Sequence, residues 1–222
     1  MNSLHNREIF CSWSGGKDSC LALYRAVQQG GRPRRLVTML TGDGSRSRSH
    51  GLPPAVLAAQ ATSLGIPLLT GQASWDDYEE VFLDRLALLR QEGLADGIFG
   101  DIDLPPHRQW VERVCSQHGI AAHLPLWQEA RRDLLALFID AGFSATIIVV
   151  NNARLPASFL GRRLDWDTVR ALEAAGVDAC GEEGEYHTVV TDGPLFATPV
   201  PLATGTVLSQ DGCSFLEVFL AP

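Results

Sequence analysis

Cysteine is scarce in this 222-residue chain, and its five cysteines stand at positions 11, 20, 115, 180 and 213. No two of them form a C-x-x-C pair, which argues against a structural zinc ribbon and against a dithiol redox site. An odd, scattered count is typical of reduced thiols in a cytoplasmic protein.

Long apolar runs are missing as well. The most apolar segment, Ile147–Val150, is far too short to cross a bilayer. The polar start, Met1–Arg7, lacks the apolar stretch of a signal peptide. We therefore expect a soluble, cytoplasmic protein that makes no membrane contact.

Positive charge is in deficit, with 18 Lys and Arg against 26 Asp and Glu, a net charge of -8 and a pI of about 5.2. Such a surface does not attract nucleic acid as a whole, so no nucleic-acid partner is expected. Arginines cluster at 32–35 and 46–48, and solvated loop arginines are the simpler interpretation of the first cluster. The hydrophobic fraction of 45% is typical of a globular protein with a substantial core.

The first half of the chain alternates strand-like and helix-like segments. The patterns predict strands at 8–13, 35–40, 66–70, 97–100 and 121–124, and helices at 17–29, 54–64, 76–91 and 107–117. Strands separated by single helices indicate an α/β fold with a doubly wound parallel sheet. Because ligands of such sheets bind outside the carboxyl ends of the strands, we expect loops 12–19, 41–52 and 100–106 to share one rim.

The second half has a different pattern. Helices are predicted at 133–141 and 166–175, and strands at 145–150, 187–190 and 214–220. We therefore predict two domains: residues 1–125 form the doubly wound α/β domain, and residues 126–222 form a smaller C-terminal α+β domain.

A phosphate-binding motif, Ser14-Gly15-Gly16-Lys17-Asp18-Ser19, follows the first strand and opens a helix. The glycines allow a tight turn that directs backbone N–H groups at one point, and the helix N-terminus adds partial positive charge. Lys17 supplies a full charge, whereas Asp18 in an anion site implies an accompanying Mg²⁺. The alternative is a plain turn with Asp18 and Ser19 as caps. The string is not a Walker A sequence.

A second cluster, Gly181-Glu182-Glu183-Gly184-Glu185-Tyr186-His187-Thr188, places carboxylates, an imidazole and a hydroxyl within eight residues. The carboxylates could hold Mg²⁺ or an ammonium nucleophile, and a glutamate or His187 could remove a proton from that nucleophile. A solvated acidic turn before a β-hairpin is an equally simple interpretation of the composition.

Smaller candidates lie in the other rim loops. Asp101 and Asp103 alternate after a short strand, so one of them should face the site; the alternative is an N-cap region. His50 could contact phosphate, and Arg46 and Arg48 could close over it. Asn151 could hold substrate, although a turn is simpler. Met39 and Gly100 complete the expected nucleotide contacts. Cys180 is the one cysteine that could act as a nucleophile, although packing is the much simpler interpretation.

The first motif resembles the PP-loop, S-G-G-x-D-S, of the ATP pyrophosphatases, whose fold is the HUP type, similar to the adenine nucleotide alpha hydrolases. Over about nine-tenths of its length the chain resembles the diphthine–ammonia ligase family of that group, in its bacterial-type branch. The matching segments are Ser14–Ser19, Leu64–Pro67, Asp96–Ile98, Pro125–Trp127, Leu160–Arg162 and Gly181–Glu185 with Thr188.

This resemblance implies a carbon–nitrogen ligase. Family members adenylate the diphthine carboxylate of elongation factor 2 with ATP, release pyrophosphate, and let ammonia displace AMP. It implies ATP and Mg²⁺ as cofactors, and a carboxylate acceptor, such as a protein side chain, with ammonia or an amine as partners; a homodimer is one possible assembly. The implied catalytic residues are Lys17, Asp18, Glu182, Glu185 and His187, with Asp18 as metal ligand. The implied substrate residues are Asn151, Gly181, Glu182, Gly184, Glu185 and Thr188.

Three other functions remain open at this point. A sulfur-transfer PP-loop enzyme would usually need a cysteine pair or a zinc module, and neither is visible in the sequence. A regulatory module could bind AMP or ATP without turnover, but would have no need of the acidic cluster. Simple hydrolysis of ATP between its α and β phosphates is the third.

Overall fold

A computed structural model describes residues 4–221 of the chain. Nine strands and six α-helices alternate along this part. The strands are β1 (Glu8–Ser12), β2 (Arg32–Leu40), β3 (Leu68–Gln72), β4 (Asp96–Ile98), β5 (Ala121–His123), β6 (Ser144–Asn151), β7 (Tyr186–Asp192), β8 (Leu202–Gln210) and β9 (Cys213–Leu220). The helices are α1 (Lys17–Gln28), α2 (Pro54–Leu64), α3 (Tyr78–Gln91), α4 (Pro105–Ser116), α5 (Arg131–Asp140) and α6 (Trp166–Ala174), with a short 3₁₀ turn at Ala157–Phe159.

The first sheet is fully parallel, with the strand order β3-β2-β1-β4-β5. The chain moves outward from β1 to β3 and then crosses back to β4, so the switch point of the topology lies between β1 and β4. Ligands of doubly wound sheets bind at this point, beyond the carboxyl ends of the strands. The predicted doubly wound α/β fold is confirmed.

Each face of the first sheet has its own buried cluster. On one face, Phe10 and Val37 of the strands pack with Phe82 and Leu86 of α3 and with Val111 of α4. On the other face, the buried side chains of α1 and α2 belong to a larger cluster that continues into α5, β6 and β7. The C-terminal part therefore packs against α1 and α2 through a continuous apolar core.

The second sheet is antiparallel, with the order β7-β6-β9-β8, and confirms the smaller α+β unit. The predicted boundary between residues 125 and 126 falls between β5 and α5, and it remains a prediction. The sequence pattern did not predict β8, because this edge strand is mostly exposed and shows no apolar alternation. None of the described helices has the length and apolarity needed to cross a bilayer.

Candidate active site

The predicted phosphate cradle, Ser14–Ser19, lies between the carboxyl end of β1 and the start of α1. Gly15 has a φ of 80°, and a Cβ there would lie 2.7 Å from Gln60 Oε1 and from Leu52 Cδ1, so the turn requires glycine. The N-cap residue of α1 is Gly16, which offers no side chain to the first N–H groups of the helix. The Lys17 N–H instead donates to the Thr188 hydroxyl at 3.1 Å, and the partial positive charge of the helix N-terminus favours an anion at this end.

The two serine hydroxyls of the cradle meet each other. Ser14 Oγ lies 3.1 Å from Ser19 Oγ, and Ser19 Oγ also donates to the Gly16 carbonyl at 3.1 Å. The Gly16 N–H points at Ser14 Oγ, 3.3 Å away. Hydroxyls and backbone N–H groups thus converge within this loop, as phosphate binding requires.

Lys17 is the only lysine of the chain, and its side chain is buried. Its Nζ lies 2.7 Å from both carboxylate oxygens of Asp18 and 3.3 Å from Glu182 Oε1. Burial alone would lower the pKa of Lys17, but the neighbouring charges, Asp18 first among them, raise its pKa well above the usual value. The first half therefore holds a charged ammonium whose two carboxylate partners come from both halves of the chain.

Two of these carboxylates fit a divalent cation. Asp18, Cys180 and Glu182 each place a potential ligand atom within 4.8 Å of the others. Mg²⁺ takes oxygen ligands, so Asp18 and Glu182 suit it and the Cys180 sulfur does not. Burial raises the pKa of Cys180 to about 12; at neutral pH it remains a thiol, in agreement with the packing role expected for it.

Glu185 holds together the loop before β7, residues 178–185, which we call the acidic loop. Its side chain is fully buried, and its two carboxylate oxygens accept the N–H groups of Asp178 at 3.3 Å and Glu183 at 3.0 Å. The Glu182 N–H donates to Asp178 Oδ2 at 2.9 Å. This arrangement leaves the Glu182 carboxylate directed at Lys17, and burial raises the pKa of Glu182 against the opposing effect of that lysine.

The loop turns at Gly181 and Gly184, each with a φ of 79°. Beyond it, the Thr188 hydroxyl accepts the Lys17 N–H at 3.1 Å, and the Thr188 carbonyl lies 2.8 Å from His50 Nδ1. These contacts join the start of β7 to the phosphate cradle and to the loop after β2. The predicted sites at 14–19, 50 and 181–188 therefore come together.

His50 and His187 lie against each other beside the cradle, with ring centroids 4.7 Å apart and ring planes tilted by 38°. Burial lowers the pKa of His50 to about 4 and the pKa of His187 to about 3, and each also feels the charge of Lys17. Both rings are therefore neutral at neutral pH.

This pair predicts a pH-dependent stability. Both folded-state pKa values lie below the unfolded value of 6.5, so the unfolded chain binds more protons as the pH falls below 6.5. Each histidine then removes up to about 1.4 kcal/mol of unfolding free energy per pH unit, down to its folded pKa. The unfolding free energy of His50→Gln, measured with urea at several pH values, should fall less steeply from pH 7 to pH 5 than that of the parent. His118→Gln is the control, and equal slopes for all three proteins would contradict the account.

Gln60 was missed in the sequence, where a glutamine on an otherwise ordinary helix carries no signal. It is fully buried, accepts the Trp13 Nε1–H at 3.0 Å, and donates to the Gly15 carbonyl at 2.9 Å and the Val190 carbonyl at 2.7 Å. Because the Val190 N–H also donates to the Gly15 carbonyl at 2.9 Å, the amide fixes β7 against the phosphate cradle.

Arg131, at the start of α5, was also missed. Its guanidinium lies 2.7 and 3.1 Å from the Asp103 carboxylate and 2.9 Å from Asp178 Oδ2. It thereby links the loop after β4 to the acidic loop. Asp103 is committed to this ion pair, whereas Asp101 lies 3.3 Å from His107 Nδ1 and has a pKa raised by burial. That one of the two aspartates faces the site remains a prediction.

The remaining candidates lie around the cradle with varied roles. Met39 is buried near the end of β2, and its carbonyl accepts the Arg48 N–H at 3.0 Å. Asn151 Oδ1 accepts the Ala153 N–H at 3.0 Å, which is the simpler turn-forming role. Arg46 donates to the Gly51 carbonyl, so neither Arg46 nor Asn151 is directed at a ligand by these contacts.

Gly100 brings the loop after β4 against the cradle. A Cβ at this position would lie 2.9 Å from the Asp18 carbonyl carbon and 3.0 Å from the Ser19 nitrogen, both backbone atoms.

Gly100→Ala should therefore push the two loops apart and lower kcat/KM for ATP by about tenfold or more, because small misplacements in a site are costly. Gly42→Ala is the control for a glycine substitution as such, because the added Cβ would meet nothing closer than 3.8 Å and Gly42, like Gly100, has no positive φ. Equal activity of the Gly100→Ala variant and the parent would contradict the close approach.

Comparison with known proteins gives the family. The model of the diphthamide synthase N-terminal domain matches residues 8–122, and that of the C-terminal domain matches residues 130–206. A diphthine–ammonia ligase from Bos taurus is 28% identical, covering 92% of this chain and 86% of the bovine protein. The Homo sapiens ligase is 29% identical with the same coverage. A solved structure titled predicted subunit of tRNA methyltransferase, from Methanocaldococcus jannaschii, is 18% identical with a TM-score of 0.47, covering 84% of this chain and 98% of that one. On the strength of the two matching family models, the chain belongs to the diphthamide synthase family.

Proposed function

We propose that this chain is an ATP-dependent ligase that adenylates a carboxylate and then transfers ammonia or an amine to it. The observation that carries the proposal is the buried Lys17 ammonium, which lies in the phosphate cradle between Asp18 and Glu182. The relatives named diphthine–ammonia ligase support the same reaction class.

In the first step, the cradle at Ser14–Ser19 binds the phosphates of ATP. Met39, His50, Gly100 and Asp101 complete the nucleotide site. A substrate carboxylate attacks the α phosphorus, the bond to the β phosphate breaks, and pyrophosphate leaves. Lys17 stabilises the charge that develops on the leaving group, because a buried cation acts more strongly in a site that excludes water.

Asp18 would hold Mg²⁺ at this position, which leaves the Glu182 carboxylate for the second step. The ion supplies neutralisation of phosphate charge when it is bound. Its arrival would also change the pairing of Lys17, because Asp18 would then share its oxygens between the ammonium and the metal.

In the second step, an amine attacks the acyl-adenylate and AMP leaves. The nucleophile must lose a proton, and the raised pKa of Glu182 makes it a better base than His187, whose pKa is lowered to about 3. The substrate lies along Gly181, Gly184, Thr188 and Asn151. Glu185 acts by positioning Glu182, since its own oxygens accept loop N–H groups.

The acceptor is a carboxylate, either that of diphthine on a protein, as in the relatives' name, or that of a small molecule. The test is AMP formation from ATP and Mg²⁺ with a diphthine-bearing protein and ammonium. AMP formation that requires the acceptor, and amide formation that requires ammonium, would support the diphthine reaction. Turnover with a cell extract but not with the diphthine-bearing protein would point to a small-molecule carboxylate. Nucleotide binding without turnover under every condition would contradict the ligase.

A further inference from the structure

A second cavity opens beside the nucleotide site, and of its lining residues the mechanism above uses only Asp101. It has a volume of about 360 Å³. We call this cavity the aromatic pocket, because five aromatic side chains line it: Trp75, Tyr78, Phe82, Phe99 and Trp110. They come from α3, α4 and the segments that follow β3 and β4, so the pocket lies at the carboxyl edge of the sheet.

The rings of α3 and α4 form a continuous wall. Tyr78 and Phe82 stack with their planes 8° apart and centroids 6.2 Å apart, and Trp110 lies 5.2 Å from Phe82 and 5.9 Å from Tyr78. Aromatic linings of this kind favour a planar ring, which gains contact area and ring contacts.

Polar groups of both signs stand among these rings. The Arg48 guanidinium lies 3.8 Å over the Trp75 ring and donates to the Ala73 carbonyl at 2.6 Å. Its Nε–H is buried and has no hydrogen-bond partner among residues 4–221. A buried guanidinium N–H without a partner is costly, and a carboxylate is its preferred acceptor. On the opposite side, the Asp101 carboxylate beside His107 can accept an N–H from a ligand.

The pocket adjoins the nucleotide site. Ser12, Ser49 and Tyr78 line both the aromatic pocket and the smaller cleft at Ser14, Thr38 and Met39, where the nucleotide is proposed to bind. Asp101 is also close enough to Asp18 to feel its charge. A ligand held by the rings therefore lies next to the reacting phosphates.

We infer that the aromatic pocket binds a planar aromatic or heteroaromatic ring of the acceptor, whose carboxylate approaches Arg48 and the nucleotide. The inference rests on the proposed function where it identifies the ligand as the acceptor. The evidence for a ring-binding site comes from the pocket itself. Adenine is the competing occupant. It carries no charge to match Arg48.

The test uses indole-3-acetate as a planar carboxylate and cyclohexylacetate as its non-planar match. Binding of each probe to the full chain is measured by ligand-observed NMR in the presence of Mg²⁺ and a saturating, non-hydrolysable ATP analogue. We expect indole-3-acetate to bind at least about tenfold more tightly than cyclohexylacetate, the equivalent of one aromatic contact. Trp75→Ala and Trp110→Leu should each remove that preference. Trp166→Ala, a tryptophan elsewhere that stacks on Arg132, should keep it.

Trp75 is 76% exposed, so its removal tests the pocket without threatening the fold. Equal binding of the two probes, no saturable binding, or displacement of indole-3-acetate by the nucleotide would each overturn the inference, the last by placing adenine in the pocket. The AMP assay is run in parallel on the same protein preparations, with ATP in place of the analogue. Loss of AMP formation in the parent with ring binding intact would refute the proposed function alone, whereas AMP formation without ring preference would refute the pocket alone.

Discussion

Lys17→Met should lower kcat/KM for AMP formation by about a thousandfold, the cost of removing a group that stabilises transition-state charge. Lys17 is the only lysine in the chain, and its Nζ lies within 3.3 Å of both Asp18 and Glu182. Methionine keeps most of the buried volume and removes the charge. The measurement is steady-state AMP production, with nucleotide affinity determined separately by calorimetry.

The control for Lys17→Met is Arg25→Met on the same helix. Arg25 forms its contacts with the Pro125 carbonyl and Glu129, away from the cradle, so its loss should leave kcat/KM within about twofold. Because Lys17→Met leaves two carboxylates facing each other, its folding is checked by urea unfolding. A correctly folded variant with less than a tenfold loss would contradict the role given to Lys17.

Glu185→Ala should lower kcat by about a hundredfold and also reduce the unfolding free energy. Its buried carboxylate accepts two loop N–H groups, and leaving buried donors unpaired costs about 1–3 kcal/mol each. The loop would then no longer hold Glu182 near Lys17. The measurement is kcat together with urea unfolding.

Glu185→Gln separates positioning from proton transfer. A glutamine oxygen can still accept one N–H, so this variant should recover part of the lost kcat if Glu185 acts through the loop. Glu183→Ala is the matched control, because the Glu183 side chain is 54% exposed. Glu185→Gln activity as low as that of Glu185→Ala, in a loop that remains folded, would instead assign the carboxylate to the chemistry itself.

The sequence predicted the parts of the site whose signal is local. The cradle at 14–19 is contiguous, and its type follows from glycines, a lysine and hydroxyls after a strand. The doubly wound sheet follows from alternating helical and strand periodicity. The rim loops came together as expected because parallel strands end on one edge.

The parts that escaped prediction depend on partners distant in the chain. Gln60 and Arg131 are separated from their partners Val190 and Asp178 by 130 and 47 residues, and nothing in their neighbours marks them. Strand β8 escaped because an exposed edge needs no apolar alternation. The family resemblance implied a catalytic role for Glu185, and that role stays a prediction. The sequence could not show that the Glu185 carboxylate accepts N–H groups of its own loop, because this orientation is determined by the fold.

The most direct test of the account is the identity of the products that the purified chain forms from ATP and Mg²⁺ when a cell extract supplies the acceptor. The phosphate cradle with Lys17, Asp18 and Glu182 predicts AMP and pyrophosphate in equal amounts, and the loss of both in Lys17→Met. Formation of ADP and phosphate by the parent chain would contradict cleavage between the α and β phosphates, and with it the assignment of the site.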